Sequence, residues 1–163
     1  MDTGHGSGFE PATGDGPKAP APNGGRSASL RTAFEGMLQI RRLTNTGHAD
    51  PQGVPAPWET HRPMRAVAIA LEASGLSPSA VDGSGVRVAT GYRLERGESP
   101  GGVRVEWAGP PGSGAARAEE AELARCAAVL RKLGWTVLLY RGARRRRFLE
   151  VEPPPGARGP DDG

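Results

Sequence analysis

Between residues 62 and 153 the apolar residues repeat one pattern twice: a helical stripe, then two runs in which apolar and polar residues alternate. This constrains the fold more than any other feature. A period near 3.6 and a period of two bury different faces and cannot be exchanged. In the first unit Pro63 suits a first helical turn, and Met64, Val67, Ala68 and Leu71 form the stripe. Gly75 followed by Leu76 reads as a glycine cap with its apolar contact. "GVRVATGYRL" (85–94) then alternates, with Val86, Val88, Thr90, Tyr92 and Leu94 on one face and Arg87, Ala89, Gly91 and Arg93 on the other. After the turn-rich "ERGESPGG", "VRVEWAG" alternates again, Val103, Val105 and Trp107 opposing Arg104 and Glu106.

The second unit opens at "GPPGSG" (109–114), which breaks the chain ahead of a helix expected over 115–133. Its stripe is Leu123, Cys126, Ala127, Leu130 and Leu133. Glu119, Glu120 and Glu122 lie early and Arg131 and Lys132 late, as the helix dipole favours. Gly134 ends the helix, with Trp135 just beyond. "WTVLLY" (135–140) and "RRFLEVE" (146–152) predict a second hairpin around "RGAR". The fold class expected is α+β, in the order αββαββ: a four-stranded antiparallel sheet with two helices on one face.

Gly (25) and Pro (16) make up about a quarter of the 163 residues and crowd the ends. Residues 1–28 hold almost nothing to bury and are expected to be disordered, as are residues 154–163. Residues 30–43, "LRTAFEGMLQIRRL", place Leu30, Ala33, Phe34, Met37 and Leu38 at helical spacing, with Ser29 positioned to cap. They predict a short basic amphipathic segment: a marginal helix docking on the domain, a disordered stretch, or a segment that folds on a partner. Residues 44–61 read as linker. The expectation is therefore a largely disordered tail and linker over 1–61, a domain over 62–153 and a disordered tail over 154–163. Met37 and Met64 are further plausible starts, Met64 opening the ordered part.

Several function classes fall away. The single Cys126 excludes an internal disulfide and fits a reducing cytoplasm, where the protein is expected to reside. No apolar run approaches the roughly 18 residues needed to span a bilayer. "MDTGHGSGFEPATGDG" lacks the basic start and apolar stretch of a signal peptide. His5, His48 and His61 all lie outside the expected domain, so acid–base catalysis by histidine has no rigid frame. No paired metal-ligand spacing occurs, and Cys126 sits on an apolar stripe as a small core residue. Gly109 and Gly114 have the spacing of a phosphate loop, but Ala115 and Ala116 stand where that loop needs Lys and a hydroxyl residue. Neither an enzyme, a cofactor nor a metal is expected.

Charge offers more. The net charge is only +3, but residues 62–153 carry 15 basic against 10 acidic side chains. Of the 21 basic residues only Lys18 and Lys132 are lysine; a GC-rich genome would encode such an arginine excess, which lowers its weight as a functional signal. Five arginines fall within seven residues at the second hairpin: Arg141, Arg144, Arg145, Arg146 and Arg147. Strand alternation would set Arg145 and Arg147 on the side of Leu149 and Val151, and Arg144 and Arg146 on that of Phe148, giving a two-sided tip. With Phe148, Arg87, Arg93 and Arg104 on the open sheet face, and Tyr140 near them, these are the candidate contact residues. Arginines among aromatics on an open sheet can hold single-stranded nucleic acid by stacking and phosphate contacts. Glu106, Glu150 and Glu152 share that face, which suits a protein contact. The first expectation is a non-enzymatic protein-interaction module, a homodimer through the open sheet face being one form; the second is a nucleic-acid-binding module.

"LARCAAVLRKLGWTVLLYRGARRRRFLEV" (123–151) resembles the helix, Gly-aromatic and strand-turn-strand segment of HicA-type mRNA interferases, which have a double-stranded-RNA-binding-like fold. In that family a His following Gly-Ser in the turn carries RNA cleavage. Here Gly142 is followed by Ala143 and Arg144. On the family's model cleavage could not survive that loss, whereas residual RNA binding could; a degenerate ribonuclease depending on Arg144 is the remaining enzymatic reading. Residues 64–153, with "VEWAGPPGSG" and "LGW…RRRFLEV", are also similar to small actinobacterial α+β proteins, a resemblance that implies a domain and no activity.

Overall fold

The computed structural model describes residues 10–18 and 24–155, which form four α-helices and two antiparallel sheets. Helix α1 spans Gly24–Thr44, α2 Pro57–His61, α3 Pro63–Ala73 and α4 Ala115–Lys132. Strands β1 (Ala80–Val81) and β2 (Arg87–Ala89) pair in a small sheet of their own. Strands β3 (Gly91–Arg96), β4 (Val103–Ala108), β5 (Thr136–Arg141) and β6 (Arg147–Glu152) form the larger sheet in the order β3-β4-β6-β5. The mixed α+β class matches the sequence pattern. No helix among the described residues is long and apolar enough to cross a membrane.

The expected alternation builds the core. Tyr92 pairs with Trp107, Leu94 with Val105, Val105 with Leu149, and Val103 with Val151. All of these are buried. Helix α4 packs on β4, β5 and β6 through Leu123, Cys126 and Leu130, while α3 lies on β3 and β4 through Val67 and Leu71. Fully burying one such aliphatic side chain contributes roughly 1.5–3 kcal/mol. Gly134, at φ +92°, turns the chain from α4 into β5 as its position predicts.

The run 85–94 is not one strand. It divides at Thr90–Gly91: β2 pairs with β1, and β3 alone enters the large sheet. Val86 and Val88, expected to face the core beside Tyr92, are 56% and 39% exposed. The cause lies at Gly91, where the backbone of Ser77 and Pro78 passes so close that any Cβ would collide. The Ser77 carbonyl accepts the Tyr92 N–H at 3.0 Å, tying this crossing down.

The segment expected to be tail and linker is largely built. Helix α1 begins six residues before the expected start at Leu30 and packs on α3, with Met37 buried. Arg26 grips Glu72 through two hydrogen bonds of 2.9 and 3.1 Å. At the other end Arg41 and Glu59 are both fully buried and paired side-on, Nε–Oε2 at 2.8 Å and Nη2–Oε1 at 2.7 Å. Arg41 Nη1 also donates to the carbonyls of Gln52 and Leu133, each at 2.8 Å. Glu59 Oε2 accepts the Ala56 N–H at 3.0 Å. One guanidinium thus joins α1, α2, the 3-10 turn Pro51–Gly53 and the end of α4.

Residues 12–16, also in the stretch expected to be disordered, lie along β3. Leu94 donates its N–H to the Thr13 carbonyl at 2.7 Å, and the buried Tyr92 hydroxyl donates to the Ala12 carbonyl at 3.0 Å. Residues 1–9, 19–23 and 156–163, and with them His5 and most of the C-terminal tail, lie outside the described residues.

Candidate nucleic-acid interface

Four arginines of the second hairpin meet the start of α4 across an open groove of about 1330 Å³. One wall is the hairpin tip, with Arg141, Arg144, Arg146 and Arg147. The other is the loop from Gly109 to Gly114 and the first turn of α4, including Arg117. Trp107, Glu106, Arg93 and Arg87 lie at its back.

At the tip the strand alternation stops at Arg147. Residues Ala143–Arg145 form a 3-10 turn, and Arg144 within it adopts φ +60°, ψ 29°. A left-handed conformation costs a non-glycine residue roughly 1–2 kcal/mol. Gly142 donates its N–H to the Arg146 carbonyl at 2.6 Å and closes the turn. Arg144, Arg146 and Arg147 all line the groove. The side chain of Arg145 lies outside the described residues.

Helix α4 offers the groove its N-terminus. Gly114 precedes it at φ 83° and provides no side-chain cap, and the first turn holds no acidic residue. The Ala118 N–H is the first to find a helical acceptor, the Gly114 carbonyl at 3.0 Å. Ser113 Oγ stands 3.4 Å from the Ala115 N–H. The N–H groups of Ala116 and Arg117, with no helical acceptor ahead of them, belong to the unsatisfied donors that draw anions to helix starts. Glu119, which from sequence would repel an anion here, is instead buried: it accepts the Arg147 backbone N–H at 3.1 Å and stands 3.7 Å from that guanidinium. Its charge is largely offset within the wall.

Ion pairing separates the arginines. Arg87 and Arg93 share Asp15, each at 2.9 Å, and Arg93 also holds Glu106 at 2.9 Å. Partial burial acts to raise the Asp15 carboxyl, but the hydrogen bonds and charges of Arg87 and Arg93 outweigh it and hold that group below its usual range. Among the described residues no carboxylate lies within 4.0 Å of Arg117, Arg141, Arg144 or Arg146. Trp107 is buried at the back of the groove, and its indole N–H finds no acceptor among the described residues.

The open sheet face is organised differently. Arg104 stacks 3.9 Å above the Phe148 ring, bonds Glu150 at 3.2 Å and stands 3.8 Å from Glu98. Tyr140 stacks on Phe148 with ring centres 5.6 Å apart. The candidate residues Arg104 and Phe148 are thus engaged with each other, away from the groove. Sequence reasoning missed Arg117 and the wall after "GPPGSG"; the glycines that open the α4 start were the available signal. Among the described residues no group of three His, Cys, Asp or Glu is placed to hold a metal ion. Set against protein-family models, curated proteins and solved structures, the chain matches none.

Proposed function

We propose that the protein is a non-enzymatic binding module that takes the phosphate backbone of a nucleic acid into the arginine groove. The observation that carries this reading is the convergence of Arg117, Arg141, Arg144 and Arg146, none with a carboxylate partner among the described residues, on the bare start of α4. Exposed guanidiniums left without counter-charges raise the local positive potential and form forks suited to phosphate oxygens. The buried Trp107 N–H adds support, since an unmatched buried donor costs about 1–3 kcal/mol that an incoming oxygen would recover. The reading takes α3 and α4 to cover the same side of the large sheet, in the order αββαββ, leaving the opposite side open.

The lining among the described residues supports binding rather than cleavage, since it includes no His or Cys to move a proton or attack phosphorus. The turn that in HicA-type interferases bears the catalytic His carries Ala143 and Arg144 here. The open sheet face contributes little to this reading, because its arginines are neutralised and its aromatic rings stacked within the chain. A protein contact has separate support in the bare edge of β5.

Fluorescence anisotropy with mixed single- and double-stranded DNA and RNA oligonucleotides tests the reading. About four phosphate contacts give a slope of log K against log salt of roughly −3 for single strands and −4 for duplexes. Arg144→Ala with Arg146→Ala is expected to halve that slope. No binding at low salt, or a slope unchanged in the double variant, overturns the proposal.

A further inference from the structure

The two edges of the large sheet are finished differently. At β3 the chain's own residues 12–16 run alongside, the Thr13 carbonyl taking the Leu94 N–H. At β5 no strand lies beyond among the described residues, and Leu138, Leu139 and Tyr140 are 47%, 52% and 45% exposed in succession. The strand Thr136–Arg141 carries no Pro or Gly, and its single charged residue is the terminal Arg141. An edge with three consecutive exposed apolar side chains and so little protection is a template for another strand. We propose that the occupant is a second copy of this chain, joined antiparallel β5 to β5.

The backbone sets the register. The Gly142 N–H turns inward to Arg146, whereas the Val137 carbonyl accepts the Arg131 guanidinium at 2.8 Å on the outer side. Alternate residues share a direction in an antiparallel sheet, so Val137, Leu139 and Arg141 present their backbone groups outward. A two-fold pairing centred on Leu139 sets Leu139 against its own copy and Leu138 against Tyr140. That Tyr140 already stacks on Phe148. Each exposed apolar side chain of the edge then covers another, and Arg141 lies opposite Val137 rather than a second arginine.

Charge on the α4 flank selects the same partner. Glu120 stands 3.7 Å from Arg147, which pairs with Arg141 at one end of β5, and Arg131 reaches Val137 at the other. Antiparallel pairing inverts the ends, so Glu120 of each protomer meets Arg131 of its partner, twice by symmetry. Ala124, exposed between these residues, leaves room for the helices to approach. A partner of one charge sign would match only one end.

Sedimentation equilibrium of the full-length protein without nucleic acid, from low micromolar to several hundred micromolar, tests the proposal. The expected mass rises to twice 17.0 kDa. Leu139→Lys, at a half-exposed position, is expected to leave a folded monomer, checked by circular dichroism. Glu120→Arg alone and Arg131→Glu alone are each expected to weaken dimerisation at least tenfold, and the two together to restore it. A wild-type protein that stays monomeric throughout, a dimer that survives Leu139→Lys, or charge swaps that do not rescue each other overturns the proposal. Because these readings use no oligonucleotide, their failure is distinct from failure of the groove.

Discussion

Removing the carboxylate of Glu59 tests how far the N-terminal helix belongs to the fold. In Glu59→Leu the Arg41 guanidinium keeps the Gln52 and Leu133 carbonyls, each at 2.8 Å, but loses both carboxylate bonds while fully buried. Leaving a buried charge without its counter-charge costs about 3–5 kcal/mol. That is a large share of the roughly 5–15 kcal/mol that holds a typical domain. For a chain of this size it lowers Tm by about 6–20 °C, at roughly 2–4 °C per kcal/mol. Urea unfolding followed by tryptophan fluorescence and circular dichroism measures the loss directly. Arg41→Met is expected to be similarly damaging, since it strands Glu59 and two carbonyls. The double variant should be less destabilised than independent effects require, by about 1–3 kcal/mol, because neither charge is then left alone. A loss below about 1 kcal/mol in Glu59→Leu would refute the reasoning and detach residues 24–61 from the cooperative unit.

Other outcomes follow from single positions. Arg144→Gly relieves the left-handed strain at φ +60°, so stability is expected to hold or rise by up to about 1 kcal/mol while oligonucleotide affinity falls; equal affinity by anisotropy counts against the groove. Gly134→Ala, at φ +92° and with Gly53 pressed against the missing side chain, is expected to lose roughly 2–4 kcal/mol in urea melts. Burial pushes the Cys126 thiol up to about 12, with Glu122 adding to the shift. Alkylation at pH 8 should therefore be slow in the native protein and fast in denaturant, and rapid native labelling contradicts its core position. Asp15 has a lowered folded pKa, so its contribution is present above its unfolded value and lost as pH falls through the folded one. Asp15→Asn should thus reduce stability at pH 7 and have little effect in strong acid, as melts across that range would show.

Much of the α+β pattern was legible because its signals are local. The stripe of α4, its end at Gly134 and the alternation of β4 and β6 need only neighbouring residues to be recognised. The Arg41–Glu59 pair was not legible. Its partners are 18 residues apart and its third contact, the Leu133 carbonyl, is 92 away; in sequence each charge looks like surface. Residues 12–16 were hidden for another reason. They dock through the carbonyls of Ala12 and Thr13, which every composition supplies, and Gly14 lets the segment approach Tyr92 and Arg93. The candidate arginines were found by counting, but their grouping was not. One left-handed residue, Arg144, sits in a 3-10 turn where strand alternation no longer holds, and no alternation rule foresees that.

The seam between the hairpins also bears on how the protein folds. Each hairpin closes a short loop, but β4 meets β6 only when Val105 reaches Leu149, with all of α4 between them. Local closures precede distant ones because loop entropy grows with separation. The groove draws Trp107 and Arg93 from the first hairpin, Arg117 from the helix between and Arg144 from the second. It does not exist until the seam has closed. A ligand seated there would bind the joined chain alone, and mass action would make it a fastener of the two halves, its presence read as slower unfolding before any contact is mapped.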